Sequence, residues 1–392
     1  MSRLDELITE LCPNGVEYRK VGDIANISRG KVMSKEYLKE NVGEYPVYSS
    51  QTENDGKLGA ITTYMFDGEF LTWTTDGANA GTVFYRSGKF SVTNVCGVID
   101  NTSKDVDTKY LYYILNREAP HYVNSGMGNP KLMSNVMARI NLPVPPLEVQ
   151  REIVHILDSF TLLTAELIAE LTARKKQYEY YRDNILTFDT TIKHVRLGDI
   201  CSVITKGTTP KSYTKTGVSF VKTEAFDGAK IISNKLSYVD EETHTTFLRR
   251  SMLEENDILI TIAGATIGKC AIVPKEILPA NTNQALAIIR LAKGNCPKYV
   301  MYLLQSDLMK RYMQKNIKGS AQPNLNLKQL NDFIIPLPPL NVQERLVRVL
   351  DNFEAICTDL NIGLPAEIEA RQKQYEYYRD LLLTFAETGN ML

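Results

Sequence analysis

The chain has 392 residues, with 45 Lys and Arg against 46 Asp and Glu, for a formal charge of −1 at neutral pH. Hydrophobic residues make up 43% and charged residues 23%, the ordinary mix of a folded globular protein. That mix excludes a disordered chain. No apolar run approaches the roughly 18 residues that a spanning helix needs, and the length predicts two or three domains.

The opening MSRLDELITE carries Arg3, Asp5 and Glu6 and predicts a short N-terminal helix, not a signal peptide. The six cysteines, Cys12, Cys96, Cys201, Cys270, Cys296 and Cys357, are scattered without a CxxC pair. That predicts neither a zinc site nor a disulfide framework, and it points to a reducing cytoplasm. The four histidines form no metal-ligand spacing.

The near-neutral average conceals a partition. Residues 1–141 carry −2, 142–188 carry −2, 189–334 carry +7 and 335–392 carry −4. Phosphate contacts need local Lys and Arg, not a basic whole. Segment 189–334 can supply them. Segment 1–141 needs its few cations on one face.

An internal duplication organises the chain. Residues 143–150 read PVPPLEVQ and 336–343 read PLPPLNVQ. QYEYYRD at 177–183 recurs unchanged at 374–380. Between the two blocks the offset grows from 193 to 197, about one helical turn. Upstream, Gly77 and Gly81 align with Gly264 and Gly268, Lys109-Tyr110 with Lys298-Tyr299, and SGMGNPKL (125–132) with KGSAQPNL (318–325). Four segments result: 1–141, 142–188, 189–334 and 335–392.

In the first segment, strand-like runs lie at Phe70–Trp73 and Val95–Ile99, and a short helix at Lys109–Leu115. In the third they lie at Ile258–Ile262 and Ala285–Ile289, with a helix at Lys298–Leu304. The aligned glycines read either as hairpin turns with φ > 0 or as close backbone approach to a ligand. The second segment reads as one long helix. Phe160, Thr164, Leu167, Leu171, Arg174, Tyr178, Tyr181, Ile185 and Phe188 keep a heptad seam. A helix over 150–188 spans about 58 Å, longer than one small domain, so we expect an antiparallel helical pair acting as a spacer. The second copy continues through Leu350, Phe353, Cys357, Leu360 and Leu364. Gly363 and Pro365 should interrupt it, with Pro365 opening a new first turn. Tyr178, Tyr180 and Tyr181 read as helix-packing residues rather than a base-stacking platform.

No catalytic motif appears. There is no NPPY-type tetrapeptide, no GxxxxGK[ST], no zinc-deaminase HxE with PCxxC and no GxSxG. Polar clusters fill the loops instead. In the first half they hold Arg29 and Lys31, Ser50 and Gln51, Thr75 and Asp76, and Asn129 and Lys131. In the second half they hold Lys206 and Thr208, Lys222 and Thr223, Asn283 and Gln284, and Lys318, Ser320 and Gln322. Lys, Arg, Ser and Thr suit phosphate oxygens; Asn, Gln, Arg and Asp can read base edges. Each cluster also reads as a solvated turn, but the clusters recur at matched positions in both halves.

At these residues the chain resembles the specificity subunit of type I restriction-modification systems. LPVPPLEVQ, IPLPPLNVQ, the twin QYEYYRD blocks with their trailing LTF, the LCPNGVEYRKVGDI opening and TAELIAELTARK (164–175) carry the likeness. It implies an α/β (α+β) fold with two mixed α/β target recognition domains, at 1–141 and 189–334. A pair of long antiparallel coiled-coil-like helices, 142–188 and 335–392, would separate them in a pseudo-two-fold duplication. It implies a non-catalytic subunit that binds double-stranded DNA, each domain reading half of a split site. The helices would set the gap and dock two modification (methyltransferase) subunits, which restriction subunits join. No cofactor is expected on this chain; S-adenosylmethionine, ATP and Mg belong to the partner subunits. Two other readings stand beside it. One is the recognition part of a single-chain restriction-methylation enzyme, for which 392 residues leave no room. The other is a coiled-coil scaffold that binds protein without DNA preference.

Overall fold

The computed structural model describes residues 3–126, 128–189, 191–317, 324–358 and 363–388. The chain packs as two compact units, Met1–Ile168 with Ile368–Leu392, and Ala169–Glu367. This division differs from the four sequence segments, because each unit closes its core with helical residues from both repeats.

The first unit is built on a six-stranded sheet. Its strands are β1 (Ala25–Arg29), β2 (Val42–Tyr48), β3 (Lys57–Ile61), β4 (Phe66–Thr74), β5 (Val83–Val92) and β6 (Cys96–Asn101), in the order β1-β6-β4-β5-β2-β3. Phe66 lies opposite Phe90 and Thr74 opposite Cys96. Eight extended residues cover about 27 Å, whereas six cover at most about 21 Å, so β4 must bend. Phe90, Val92, Cys96 and Val98 fill the bend, packed by Phe66 and Phe70. Trp73 is fully buried and donates from Nε1 to Leu132 O at 3.0 Å. Its ring lies flat over Gly97, where an added Cβ would come within 2.2 Å of it.

The second unit repeats the central layout in smaller form. Its strands are β7 (Cys201–Lys206), β8 (Val218–Val221), β9 (Ser237–Val239), β10 (Ile258–Thr261), β11 (Cys270–Ile272), β12 (Ala280–Thr282) and β13 (Leu286–Leu291). The order β7-β13-β10-β11 matches β1-β6-β4-β5 of the first unit. A second sheet, β9-β8-β12, lies beside it, with β8 and β12 parallel. The four predicted strand runs fall on β4, β6, β10 and β13. Gly77, Gly81, Gly264 and Gly268 take φ of +102°, +87°, +89° and +88° in the β4–β5 and β10–β11 turns, a region open to glycine at little cost.

The predicted short helices are α1 (Thr108–Glu118) and, in the second unit, α3 (Pro297–Gln305). Between them in the chain runs α2 (Leu147–Ile185), a single helix of 39 residues that starts directly after Pro145-Pro146. The second copy is two helices, α4 (Leu340–Thr358) and α5 (Gly363–Leu382). Pro365 sits in the first turn of α5, as its missing N–H allows. Leu360 lies outside the described residues.

The repeated proline motif has a specific task. In the first unit the buried Gln150 donates to Pro145 O at 2.7 Å and accepts from Asp107 N at 2.8 Å. In the second, Gln343 donates to Pro338 O at 2.8 Å and accepts from Cys296 N at 3.1 Å. Each glutamine thus clamps the proline turn to the start of α1 or α3. Tyr110 donates to Pro143 O at 3.0 Å, and Tyr299 to Pro336 O at 2.9 Å. These bonds satisfy carbonyls that proline-rich backbone leaves without ladder partners.

The heptad seam is only partly a packing seam. Leu157 and Leu167 are buried, but residues 172–177 are exposed, Arg174 among them, and Arg174 pairs with Glu170 at 3.3 Å. In the second unit Tyr178 packs into the core and Tyr181 stacks on Phe353 at 6.2 Å. Tyr180 departs from the packing expectation. It is 65% exposed and meets Tyr181 edge to face.

Candidate nucleic-acid interface

In the first unit, loops from four strand ends meet. Ser50 Oγ donates to Val95 O and accepts from Thr75 N at 3.1 Å and Asp76 N at 3.4 Å. The Thr75 hydroxyl lies 2.7 Å from Asp76 Oδ2 and 2.8 Å from Val95 O. Leu132 N donates to Thr75 O at 3.0 Å, and Lys131 bridges back to Asp76, with Nζ 3.7 Å from Oδ1. Arg29, at the end of β1, donates from Nε to Ser134 Oγ at 3.2 Å. Lys31 holds the same corner through Val92 O and Asn94 N at 3.2 and 3.0 Å.

Six of the eight candidates therefore share one junction: Arg29, Lys31, Ser50, Thr75, Asp76 and Lys131. Gln51 joins it loosely. Its side chain turns to Lys57 O at 2.8 Å, and its neighbour Thr52 accepts from Asn79 at 2.9 Å. Asn129 is exposed and stands apart from the network. Two candidates need correction. Thr75 is fully buried, and the Ser50 oxygen already serves three backbone groups. The Thr75 side chain supports the loops from within, and the half-exposed Ser50 spends its oxygen on them. What faces outward is one acceptor, Asp76, beside three cations, Arg29, Lys31 and Lys131. An acceptor among donors can match base edges while the cations take phosphates.

The second unit gathers a parallel set. Gly207 N donates to Leu286 O at 3.0 Å and Thr208 N to Thr282 O at 2.9 Å, which folds Lys206-Gly207-Thr208 against Asn283. Thr282 Oγ1 donates to Val221 O at 2.9 Å, placing Lys222 and Thr223 at the same edge. Asn283 Oδ1 accepts from Ala285 N at 3.1 Å, and Gln284 beside it is exposed. Lys318, Ser320 and Gln322 lie outside the described residues. At the positions matching Asp76 and Lys131, Ala263 bridges to Asn324. The acidic acceptor of the first unit has no counterpart there, so the two surfaces differ in chemistry on a shared frame.

Sequence reasoning missed three contributors. Ser134 orients Arg29. Thr93 ties the corner by donating to Ser49 Oγ at 2.9 Å. Tyr213 lies under Lys222, whose Nζ is 3.7 Å from the ring centroid, a cation–π contact. Thr93-Asn94 stands as a polar pair between two apolar runs, a signal that was legible. Ser134 gave none, because its partner Arg29 is 105 residues away, and nothing in the local pattern marks Tyr213 as the ring under Lys222.

In each unit a titratable trio recurs between two helices. Asp158 accepts from Tyr113 at 2.7 Å and pairs with Lys109 at 2.6 Å. Asp351 accepts from Tyr302 at 2.6 Å and pairs with Lys298 at 2.6 Å. Burial first, and the carboxylate second, raise both phenols well above the ordinary tyrosine range. They remain protonated donors. Among the described residues no group of three or more His, Cys, Asp or Glu could hold a metal ion. No described helix is long and apolar enough to cross a membrane.

Two copies of one frame, each ending in a polar loop junction, match a known family. The family model for the type I restriction modification DNA specificity domain fits residues 13–174 and again 190–370. The chain belongs to that family. It is 35% identical over 373 residues to a putative type I specificity subunit of Mycoplasma pneumoniae, covering 94% of this chain and 97% of that one. To the specificity subunit of the type I restriction enzyme EcoR124I/EcoR124II of Escherichia coli it is 32% identical, covering 86% and 84%. The fold is also similar to a solved chain from work on complex assembly and conformational transition of the type I R-M system. There the TM-score is 0.62 at 16% identity, covering 97% of this chain and 99% of the other. The chain is thus a DNA sequence-recognition subunit of the type I class, with two recognition domains.

Proposed function

We propose that each recognition domain reads one half of a split DNA site and that the helical repeats set the gap between the halves. The observation that carries this reading is the doubled frame. Lys109–Asp158–Tyr113 and Lys298–Asp351–Tyr302 tie equivalent helices together in the two units, but the loop junctions of the two units carry different residues. Equal scaffolds with unequal reading surfaces suit two different half-sites.

The helices act as an antiparallel spacer and dock two modification (methyltransferase) subunits, to which restriction subunits add. Supporting this, Tyr180 and Tyr377 hold the same place in the two identical heptapeptides, and each is 65% exposed. Leu162 is 62% and Leu381 56% exposed on the same repeats. Apolar side chains left open on helices suit a protein partner. S-adenosylmethionine, ATP and Mg bind on those partners in the cytoplasm, and this chain contributes recognition alone. The test is methylome sequencing of cells carrying this chain with its modification subunit. A bipartite motif with a constant unread gap is expected. A continuous motif, or none, overturns the proposal.

A further inference from the structure

A cavity of about 490 Å³ opens in the second unit between the Phe226–Ile231 turn, β11 and α3. Ile272, Met301, Cys296, Lys298 and Glu354 are among its walls. The first unit provides a residue-by-residue reference, because the Lys–Asp–Tyr trio recurs with nearly equal distances. Within that frame Ile272 stands at the position of Tyr85, and Met301 at the position of Tyr112. In the first unit those two positions carry aromatic rings. They pack edge to face with centroids 6.4 Å apart, and Lys109 Nζ lies 5.8 Å from the Tyr85 centroid. In the second unit an isoleucine and a methionine replace the rings, and the space is open.

We propose that this cavity is a binding site for a phenol-sized aromatic ring. Size permits it: an apolar cavity of roughly 150 Å³ already admits benzene. The walls supply the chemistry. Ile272 and Met301 bury an apolar ring, and thioether sulfur favours aromatic contact. Lys298 occupies the place from which Lys109 addresses the Tyr85 ring, so its ammonium can lie near a ring face. Glu354 is held at the rim by the Tyr302 hydroxyl at 2.9 Å and can accept from a phenol. The ring arrives on a free small molecule or on a side chain of a docked protein; the recognising chemistry is the same. The inference does not depend on how the loops read DNA.

The test uses the full chain and p-cresol. Cys296 lines the cavity and is partly exposed, so its alkylation by iodoacetamide, followed by mass spectrometry, reports occupancy. Cys201 is the internal reference. Saturating p-cresol should slow Cys296 alkylation at least about fivefold and leave Cys201 unchanged. Ile272→Tyr and Met301→Tyr restore the rings of the first unit and should weaken p-cresol at least about tenfold. Met301→Leu keeps the cavity and should retain binding, which separates a filled site from a misfolded one. No saturable protection in the wild type overturns the proposal. So does equal protection by 4-methylcyclohexanol, or undiminished binding in both tyrosine variants. Adding the modification subunit distinguishes the sources. Protection by the subunit alone assigns the ring to a partner side chain; p-cresol protection that persists in its presence assigns it to a small molecule.

Discussion

Phe160 stacks on Tyr378 in the first unit, with ring centroids 5.5 Å apart and planes 23° apart. The second unit holds the same contact with the repeats exchanged, Phe353 on Tyr181 at 24°. In each, a phenylalanine from the start of one helical repeat meets a tyrosine from the end of the other. The duplication therefore closes on itself: neither unit completes its helical core from one repeat alone.

Removing one ring of such a pair should cost more than its burial. Phe160→Ala should lower unfolding stability by about 2 kcal/mol, below the full range for a buried Phe because the residue is only half-buried. A double-mutant cycle with Tyr378→Ala should give a coupling of about 1 kcal/mol. Urea denaturation checks this, and additive losses would contradict it.

Half-site reading should separate by unit. Asp76→Asn or Lys131→Ala should change or relax the first half-site only, by about 10- to 100-fold in discrimination. Asn283→Ala or Lys222→Ala should do so for the second half-site only. Methylome sequencing of each variant is the measurement, and a change in both halves would refute modularity.

Non-specific affinity should draw more on the second unit. Segment 189–334 carries +7 and segment 1–141 carries −2, and Lys131 is already paired with Asp76. Lys206→Ala should flatten the slope of log affinity against log salt by about 1. Lys131→Ala should flatten it less. Salt titrations on non-specific duplex compare the two.

Duplicating Thr164-Ala165-Glu166-Leu167 should lengthen the gap between half-sites without changing the bases read. These residues lie inside α2. Four residues advance a helix about 6 Å and rotate it by a net of about 40°. One base pair advances DNA about 3.4 Å and rotates it about 35°. The rotations nearly agree, so the gap should grow by about one base pair. The extra rise must be absorbed by local unwinding of the helix packing. An unchanged gap in the methylome would remove the spacer reading.

Stability should fall above about pH 9. Burial pushes the Cys96 and Cys270 thiols up to about 12. Above the ordinary thiol value the unfolded chain releases these protons and the folded chain retains them, so stability declines with pH. The loss is on the order of 1 kcal/mol per thiol per pH unit. Urea midpoints from pH 8 to 10.5 should shift down, and Cys96→Ala with Cys270→Ala should reduce the slope.

The duplication, the start of the long helix after Pro145-Pro146, the interruption before Pro365 and the buried strand runs were all legible in the sequence. Each depends on local backbone preference or on comparison of the chain with itself. The tertiary structure decided which polar loop residues face outward. Ser50 and Thr75 looked like ligand contacts, yet their oxygens are used by Val95 and the loop amides. Tyr180 shares a heptapeptide with Tyr178, yet Tyr178 packs into the core and Tyr180 stands open. The second-unit cavity was equally hidden, because Ile272 and Met301 stand where the first unit has tyrosines and the turn at Ala229–Ile231 is brought to them only by the fold. Burial and hydrogen-bond saturation are set by partners dozens to hundreds of residues away, and composition and periodicity do not carry that information.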